Sequence, residues 1–293
     1  MPPLQWLGFN GPDIDALLGT GKMHVLSTAH CTQLLGPWLP LPLGSGEVDP
    51  SVSGGAAAAH SDGPPPPPLR LLDIGAGSGE VTQAIASGIQ HAALATQGGG
   101  AAAAPAAGNT ASQLQVTATD SSAACARALV AKGFHGIHCD SIDASRAEFA
   151  TDGHFHVVAC LNVLDRCSAP RDLLRDAVRL CAEGGLLVFA LVLPWDDFVE
   201  EGGVQKQPEA PLPMAGFRCG DGPGLEECLG AFLRNVLGVA PGATGEGSFV
   251  PEGTLTLRSV SRVPYLAEGD LFASVYWLPN AVVVCSKNGM SQA

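Results

Sequence analysis

Leu71-Leu72-Asp73-Ile74-Gly75-Ala76-Gly77-Ser78-Gly79-Glu80-Val81-Thr82 is an apolar run that ends in an acid, followed by three glycines at every second position. A strand that turns sharply into a helix needs residues without Cβ where the backbone bends and where a ligand approaches it. The helix N-terminus adds unpaired N–H groups and a partial positive charge. The stretch therefore reads as the loop by which an α/β protein holds an adenosine-containing cofactor. Asp73, Gly75, Gly77 and Gly79 are its candidate contacts.

The spacing separates two cofactor classes. A dinucleotide fingerprint, G-x-G-x-x-G, places its third glycine three residues after the second. Here the third glycine follows after two residues, and an acid stands two residues before the first. That D-x-G-x-G-x-G arrangement resembles the first motif of class I methyltransferases. The resemblance implies S-adenosyl-L-methionine, with the loop at its methionine end and Asp73 holding polar groups there.

Outward from the loop, strand and helix alternate, which predicts a mostly parallel sheet. Strands are expected at Leu69–Ile74, Leu114–Thr119, Gly136–Cys139, Val157–Leu161 and Leu186–Leu193. Helices are expected over 80–89 and 122–132, and from Pro170 to the Gly184-Gly185 pair, with Ser168 as the cap of the last. Val275–Leu278 and Ala281–Cys285, flanking Pro279-Asn280, read as an antiparallel hairpin. The expected fold is a class I methyltransferase (Rossmann-like) α/β fold: a mostly parallel seven-stranded sheet with a C-terminal antiparallel hairpin. A dinucleotide fold would end in another parallel strand.

Ligands of open α/β sheets bind beyond the carboxyl ends of the strands. Asp120 follows the second strand, where class I methyltransferases place an acid on the ribose hydroxyls; the alternative is a simple helix N-terminal acid. Asp140, after the third strand, is a candidate for the adenine amine, evenly balanced against a role without ligand. Asn162 follows the fourth strand, with Asp165 and Arg166 beyond it.

Residues 44–68, 97–112, 203–224 and 238–254 are dominated by Gly, Ala, Pro and Ser. Such segments bury too little to offset their ordering entropy and read as insertions in a single domain over 1–293. The formal net charge is -13, with 15 Lys and Arg against 28 Asp and Glu. That balance argues against general nucleic-acid binding, which relies on cations to displace counterions. Nine cysteines without paired spacing read as reduced thiols. The histidines show no metal-ligand spacing, so no metal is expected. No apolar run reaches the roughly 18 residues of a membrane span. The default location is cytoplasmic; a missing upstream segment would allow an endomembrane or organellar address instead.

Cys160-Leu161-Asn162-Val163-Leu164-Asp165-Arg166-Cys167 resembles the C-L-N-x-L-D-R-C segment of the DREV family, the methyltransferase-like protein 9 family. Ala190-Leu191-Val192-Leu193-Pro194-Trp195, Arg262-Val263-Pro264-Tyr265-Leu266-Ala267-Glu268-Gly269-Asp270 and Gly19-Thr20-Gly21-Lys22-Met23-His24-Val25-Leu26-Ser27 resemble three further signatures of that family, in the same order. The resemblance implies methylation of protein histidine at the N-pros (π) ring nitrogen, in H-x-H motifs with a small middle residue. It gives Asn162 a cofactor contact and Tyr265 a place closing the pocket. Glu268 and Asp270 either bind the second histidine of the motif or are solvated acids. Asp165 suits an acceptor of the distal (τ) N–H, leaving the π lone pair free; otherwise it pairs with Arg166 or caps a helix. The alternative function is a methyltransferase acting on a small molecule or another protein side chain. The chain's own H-x-H, His154-Phe155-His156, has a bulky centre and begins a buried strand, so self-methylation is not expected.

Overall fold

A computed structural model describes residues 23–40, 67–97, 114–143, 145–151, 153–201, 204–214, 222, 224–240, 248–268 and 274–289. The insertions at 44–68 and 97–112 lie almost wholly outside these residues, as do Asp270 and the Gly19–Lys22 part of the first signature.

Seven strands form the central sheet: β2 (Leu69–Ile74), β3 (Leu114–Asp120), β4 (His135–His138), β5 (Phe155–Leu161), β6 (Cys181–Val192), β9 (Leu255–Arg262) and β12 (Asn280–Lys287). Their spatial order is β4-β3-β2-β5-β6-β12-β9. The first five are parallel. β12 runs antiparallel to both β6 and β9. The order reverses between β2 and β5, and at such a switch point the loops diverge to opposite faces and leave a crevice.

Both faces of the sheet are covered, which explains its near-continuous apolar strands. Leu72, Val158, Cys160, Leu187, Phe189 and Leu191 pack on one side with Leu174, Ala177 and Leu180 of α4 (Pro170–Leu180). Leu71, Val157, Ala159, Val188 and Ala190 face the other way, against Cys31 and Leu35 of α1 (Thr28–Leu35) and Ile85 and Ile89 of α2 (Glu80–Gln97). Side chains alternate along each strand, so one residue of slip would exchange the two layers. Among the described residues eight cysteines are present and all are free.

The parallel strands and helices stand where the sequence places them, with three differences of detail. α2 runs on to Gln97, because Ala92 to Ala95 are good helix formers. α4 ends at Leu180 rather than at the glycine pair, since Cys181 is already extended. Lys287 Nζ meets the carbonyls of Arg179 (3.3 Å) and Cys181 (2.8 Å), groups the helix end leaves open. Ser168 does not cap this helix; its carbonyl accepts instead from Glu209 N–H at 2.8 Å.

The antiparallel end of the sheet is present, but β12 takes β9 as its outer partner. β11 (Val275–Leu278) pairs with β10 (Tyr265–Glu268) in a separate three-stranded sheet that also holds β1 (Met23–His24). Pro279 explains this. A two-residue hairpin turn wants positive φ at its centre, which proline cannot adopt, so the chain passes from one sheet into the next.

Part of 203–224 is packed rather than merely inserted. Val204–Lys206 (β8) pairs with Val199–Glu201 (β7), and Leu212 and Met214 enter the core. Met214 is 1% exposed, so Met214→Ala should destabilise the protein by roughly 2–5 kcal/mol. Chemical denaturation would check this, and a loss under about 0.5 kcal/mol, typical of surface changes, would return the segment to the status of a free insertion.

Candidate active site

The glycine loop lies between β2 and α2, at the carboxyl end of the sheet. All three glycines have positive φ: 66° at Gly75, 55° at Gly77 and 91° at Gly79. A Cβ on Gly75 would come within 2.5 Å of Val163 Cγ2, and one on Gly79 within 2.7 Å of Leu129 Cδ2. The first presses the loop onto the segment after β5; the second seats it on α3 (Ala123–Ala131). At Gly77 a Cβ would meet nothing within 4 Å. A side chain at either end of the loop would collide with the protein, whereas one at its middle would meet no described atom.

Asp120, the last residue of β3, ties this loop down. Its Oδ2 accepts from Gly77 N–H at 2.9 Å and its Oδ1 from Ser122 N–H at 2.8 Å. A carboxylate offers about four acceptor positions, so holding the loop is compatible with a diol as well. Asp140 lies just past β4, exposed at the sheet's edge.

Asp73 is buried (3% exposed), and Thr82 Oγ1 donates to its Oδ2 at 2.6 Å. Burial pushes its pKa up to about 7, against the lowering effect of the Thr82 hydrogen bond, and the Asp120 charge adds to the rise. A folded-state pKa above the unfolded one gives stability that is complete below about pH 4 and is lost as pH rises through about 7. Asp73→Asn removes that penalty. Without cofactor, the variant should match the wild type near pH 4 and melt several degrees higher near pH 8, the gap reflecting on the order of 4 kcal/mol. Calorimetric melting at the two pH values checks this; an equal gap at both would mean that Asp73 does not titrate in that window.

The segment after β5 brings two more candidates beside the loop. Asn162 has φ 56°, an uncommon value for a residue with a side chain. Its backbone N–H donates to Ala190 O at 2.8 Å, while both its amide atoms, Nδ2 and Oδ1, are buried with no protein partner among the described residues. Buried amides are nearly always hydrogen-bonded, so an orphan at a strand end is a pointer to a ligand. Asp165 is 2% exposed; its Oδ2 pairs with Arg166 Nη1 at 3.1 Å and its Oδ1 is buried without a partner among the described residues. Burial raises its pKa, opposed by Arg166, with Asp196 and Asp197 adding to the rise.

Tyr265 on β10 is buried, and its hydroxyl donates to Met23 Sδ of β1. Burial pushes its pKa up to about 12, with the Asp165 carboxylate adding to the effect. Glu268, exposed, stands opposite Val275 on the same small sheet. The structure thus gathers Asp73, the glycines, Asp120, Asn162 and Asp165 at one end of the sheet, while Asp140 stands exposed at its edge and Glu268 on the separate small sheet.

Sequence reasoning missed Thr82, which is nine residues from the acid it serves. It also missed Trp195 and Asn280, whose indole Nε1 and side-chain amide are buried without partners. Asn280 opposite Val192, and Trp195 just past β6, lie at this same end. Strand pairing brings Asn280 there, whereas Trp195 simply follows the carboxyl end of β6. The chain's own H-x-H lies at the amino end of β5, away from the loop. His156 Nδ1 accepts from Arg70 N–H at 3.0 Å, and the His154 ring lies 2.9 Å from Arg70 Nη1. A cavity of about 390 Å³ lined by Trp38, Arg258, Lys287 and Gly289 is likewise remote from the loop.

Among the described residues no group of three or more His, Cys, Asp or Glu side chains is placed to hold a metal. No helix there is long and apolar enough to cross a membrane.

The strand order, the antiparallel end and the D-x-G-x-G-x-G loop define a class I methyltransferase, for which S-adenosyl-L-methionine is the methyl donor. The family model for DREV methyltransferases matches residues 57–224, more than half of the chain, and the protein belongs to that family. The match holds the glycine loop, Asp120, Asn162 and Asp165; Tyr265, Glu268 and Asp270 lie beyond it. Similar solved structures include the DszA carbon methyltransferase (18% identity, TM-score 0.41, 77% of this chain and 49% of that one). Others are the trans-methyltransferase CalH in complex with SAH (18%, 0.38, 75% and 52%) and the N-methyltransferase NodS from Bradyrhizobium japonicum WM9 in complex with S-adenosyl-L-homocysteine (14%, 0.37, 76% and 80%). The chain spans about half the length of the first two.

Proposed function

We propose that this methyltransferase acts on protein histidine, at the N-pros (π) nitrogen of H-x-H motifs, as a single catalytic domain. The observation that carries the proposal is Asp165: a buried carboxylate, one oxygen held by Arg166 and the other without a partner, on the segment that packs against the glycine loop. The DREV resemblance supplies the acceptor class.

When bound, S-adenosyl-L-methionine supplies an electrophilic methyl group on a sulfonium sulfur. The chain's residues fit such a guest. Gly77 would leave room for it, Asp120 would present acceptors to its ribose, the orphan amide of Asn162 would give it a donor and an acceptor, and Asp73 would accept from its polar methionine end. Asp140 adds an edge contact to the adenine. The acceptor histidine needs no strong base before attack, because a neutral imidazole with pKa about 6.5 is already nucleophilic at neutral pH. Asp165 Oδ1 accepts the τ N–H, which fixes the tautomer with the lone pair on the π nitrogen. As the N–C bond forms and the S–C bond breaks, the ring becomes an imidazolium, and the same carboxylate stabilises it and then takes or relays the τ proton. Tyr265 walls the pocket, and Glu268 with Asp270 receives the second histidine.

The test is labelled methyl transfer to peptides with H-x-H, x being Gly or Ala, with mass spectrometry locating the methyl group. Label on the π nitrogen supports the proposal. Transfer only to small molecules, or to lysine or arginine peptides, overturns it.

A further inference from the structure

Arg166 does more than neutralise its neighbour. Its Nη1 forms an ion pair with Asp165 Oδ2 (3.1 Å) and donates to the Asp165 carbonyl (2.9 Å) and the Asp196 carbonyl (2.6 Å). Its guanidinium carbon lies 3.9 Å from the centre of the Phe198 ring, and Phe198 N–H donates to the Asp165 carbonyl at 3.0 Å. Two loops, one after β5 and one after β6, are therefore joined by one cation. A planar guanidinium can stack and donate at the same time, which a lysine ammonium cannot. The side chain is 38% exposed, so the contact is no buried structural ion pair on the arginine's side, whereas Asp165 is 2% exposed.

We propose that Arg166 is a positioning residue for methyl transfer: latched onto Phe198 and the Asp196 carbonyl, it occupies Asp165 Oδ2, holds the carboxylate ionised, and leaves Oδ1 as the oxygen that meets the acceptor. This rests on the role given to Asp165 above. The charged and titratable groups around Asp165 fix the sign. Arg166 is the cation among those acting on it, while Asp196, Asp197, Tyr265, Cys160 and Cys167 surround it as acids or neutral groups. Removing Arg166 therefore makes the proton harder to remove from Asp165.

The experiment compares wild type, Arg166→Gln, Arg166→Lys and Phe198→Leu on the Gly- and Ala-centred H-x-H peptides, with S-adenosylhomocysteine affinity as the control for folding. The peptide imidazole titrates near pH 6.5 in every case, so the wild-type kcat/KM falls with unit slope on the acid side. In Arg166→Gln the acid limb should steepen, because Asp165 without its cation takes up a proton more readily, and kcat should fall roughly tenfold or more, less than the 10²–10⁴ expected from losing the carboxylate itself. Arg166→Lys should restore the unit slope without the full rate. Phe198→Leu should lower kcat and leave the slope alone.

A folded Arg166→Gln with kcat within about twofold of wild type and an unchanged slope overturns the inference. So does a rate loss with an unchanged slope that Lys does not relieve, since that is a structural effect only. Should Arg166→Gln fail to bind S-adenosylhomocysteine, the Lys and Leu variants decide: lowered kcat in both supports the latch, wild-type kcat in both sinks it. Asp165→Asn separates the two claims. If it is inactive while Arg166→Gln is normal, only the latch fails; if Asp165→Asn is itself normal, the role of the carboxylate fails first.

Discussion

Asp165→Asn should leave cofactor affinity unchanged and lower turnover on an H-x-H peptide by roughly 10²–10⁴, the range for a positioned acid–base group. The substitution keeps the shape and can still hydrogen-bond. It removes the charge that steadies the developing imidazolium, and it can present an N–H where an acceptor is needed, favouring the wrong tautomer. Two features of the structure make the effect large. The carboxylate is 2% exposed, so water screens its charge little, and among the described residues Oδ1 has no partner that would compete with the substrate. Single-turnover kinetics at about pH 7.5, above the imidazole pKa, isolates the chemical step. Turnover near the wild-type value would leave Asp165 as the structural partner of Arg166 and pass the orienting role to Glu268, Asp270 or Tyr265.

Gly77→Val should abolish binding of S-adenosylmethionine and S-adenosylhomocysteine while the domain stays folded. At this position an added Cβ meets no atom of the described residues within 4 Å; the φ of 55° adds strain of the order of 1–2 kcal/mol for a branched residue. The valine methyls would stand in the space beside the loop that the cofactor is proposed to fill. The neighbours provide the contrast. Gly75→Val and Gly79→Val drive a side chain into Val163 or Leu129 and should unfold or aggregate the protein instead. Titration calorimetry with circular dichroism distinguishes the outcomes: retained affinity in Gly77→Val would move the cofactor away from the loop.

The five parallel strands, the helices between them and the glycine loop were legible in the sequence, because each depends on residues close along the chain, whereas the edge strand β9 was not. Apolar runs of strand length, Pro170 at a helix start and three glycines at alternate positions all report local backbone requirements. Asp120, Asn162 and Asp165 were legible for the same reason, as polar residues just past a strand's carboxyl end. What the tertiary structure decided is everything that depends on which strand lies beside which. Pro279 sends β11 to β10 instead of to β12, although the two runs are adjacent in sequence. Met214, in a stretch that reads as low complexity, finds an apolar layer to fill, since burial depends on position and not on the composition of the neighbours. The loop after β6 carries Asp196 and Phe198 to Arg166 some thirty positions away. Val163 meets Gly75 across the switch point, and that contact sets Asp165 beside the loop. Local chemistry fixes what each segment can be; only sheet order and close packing fix which side chains meet, because those contacts join residues with no relation along the chain.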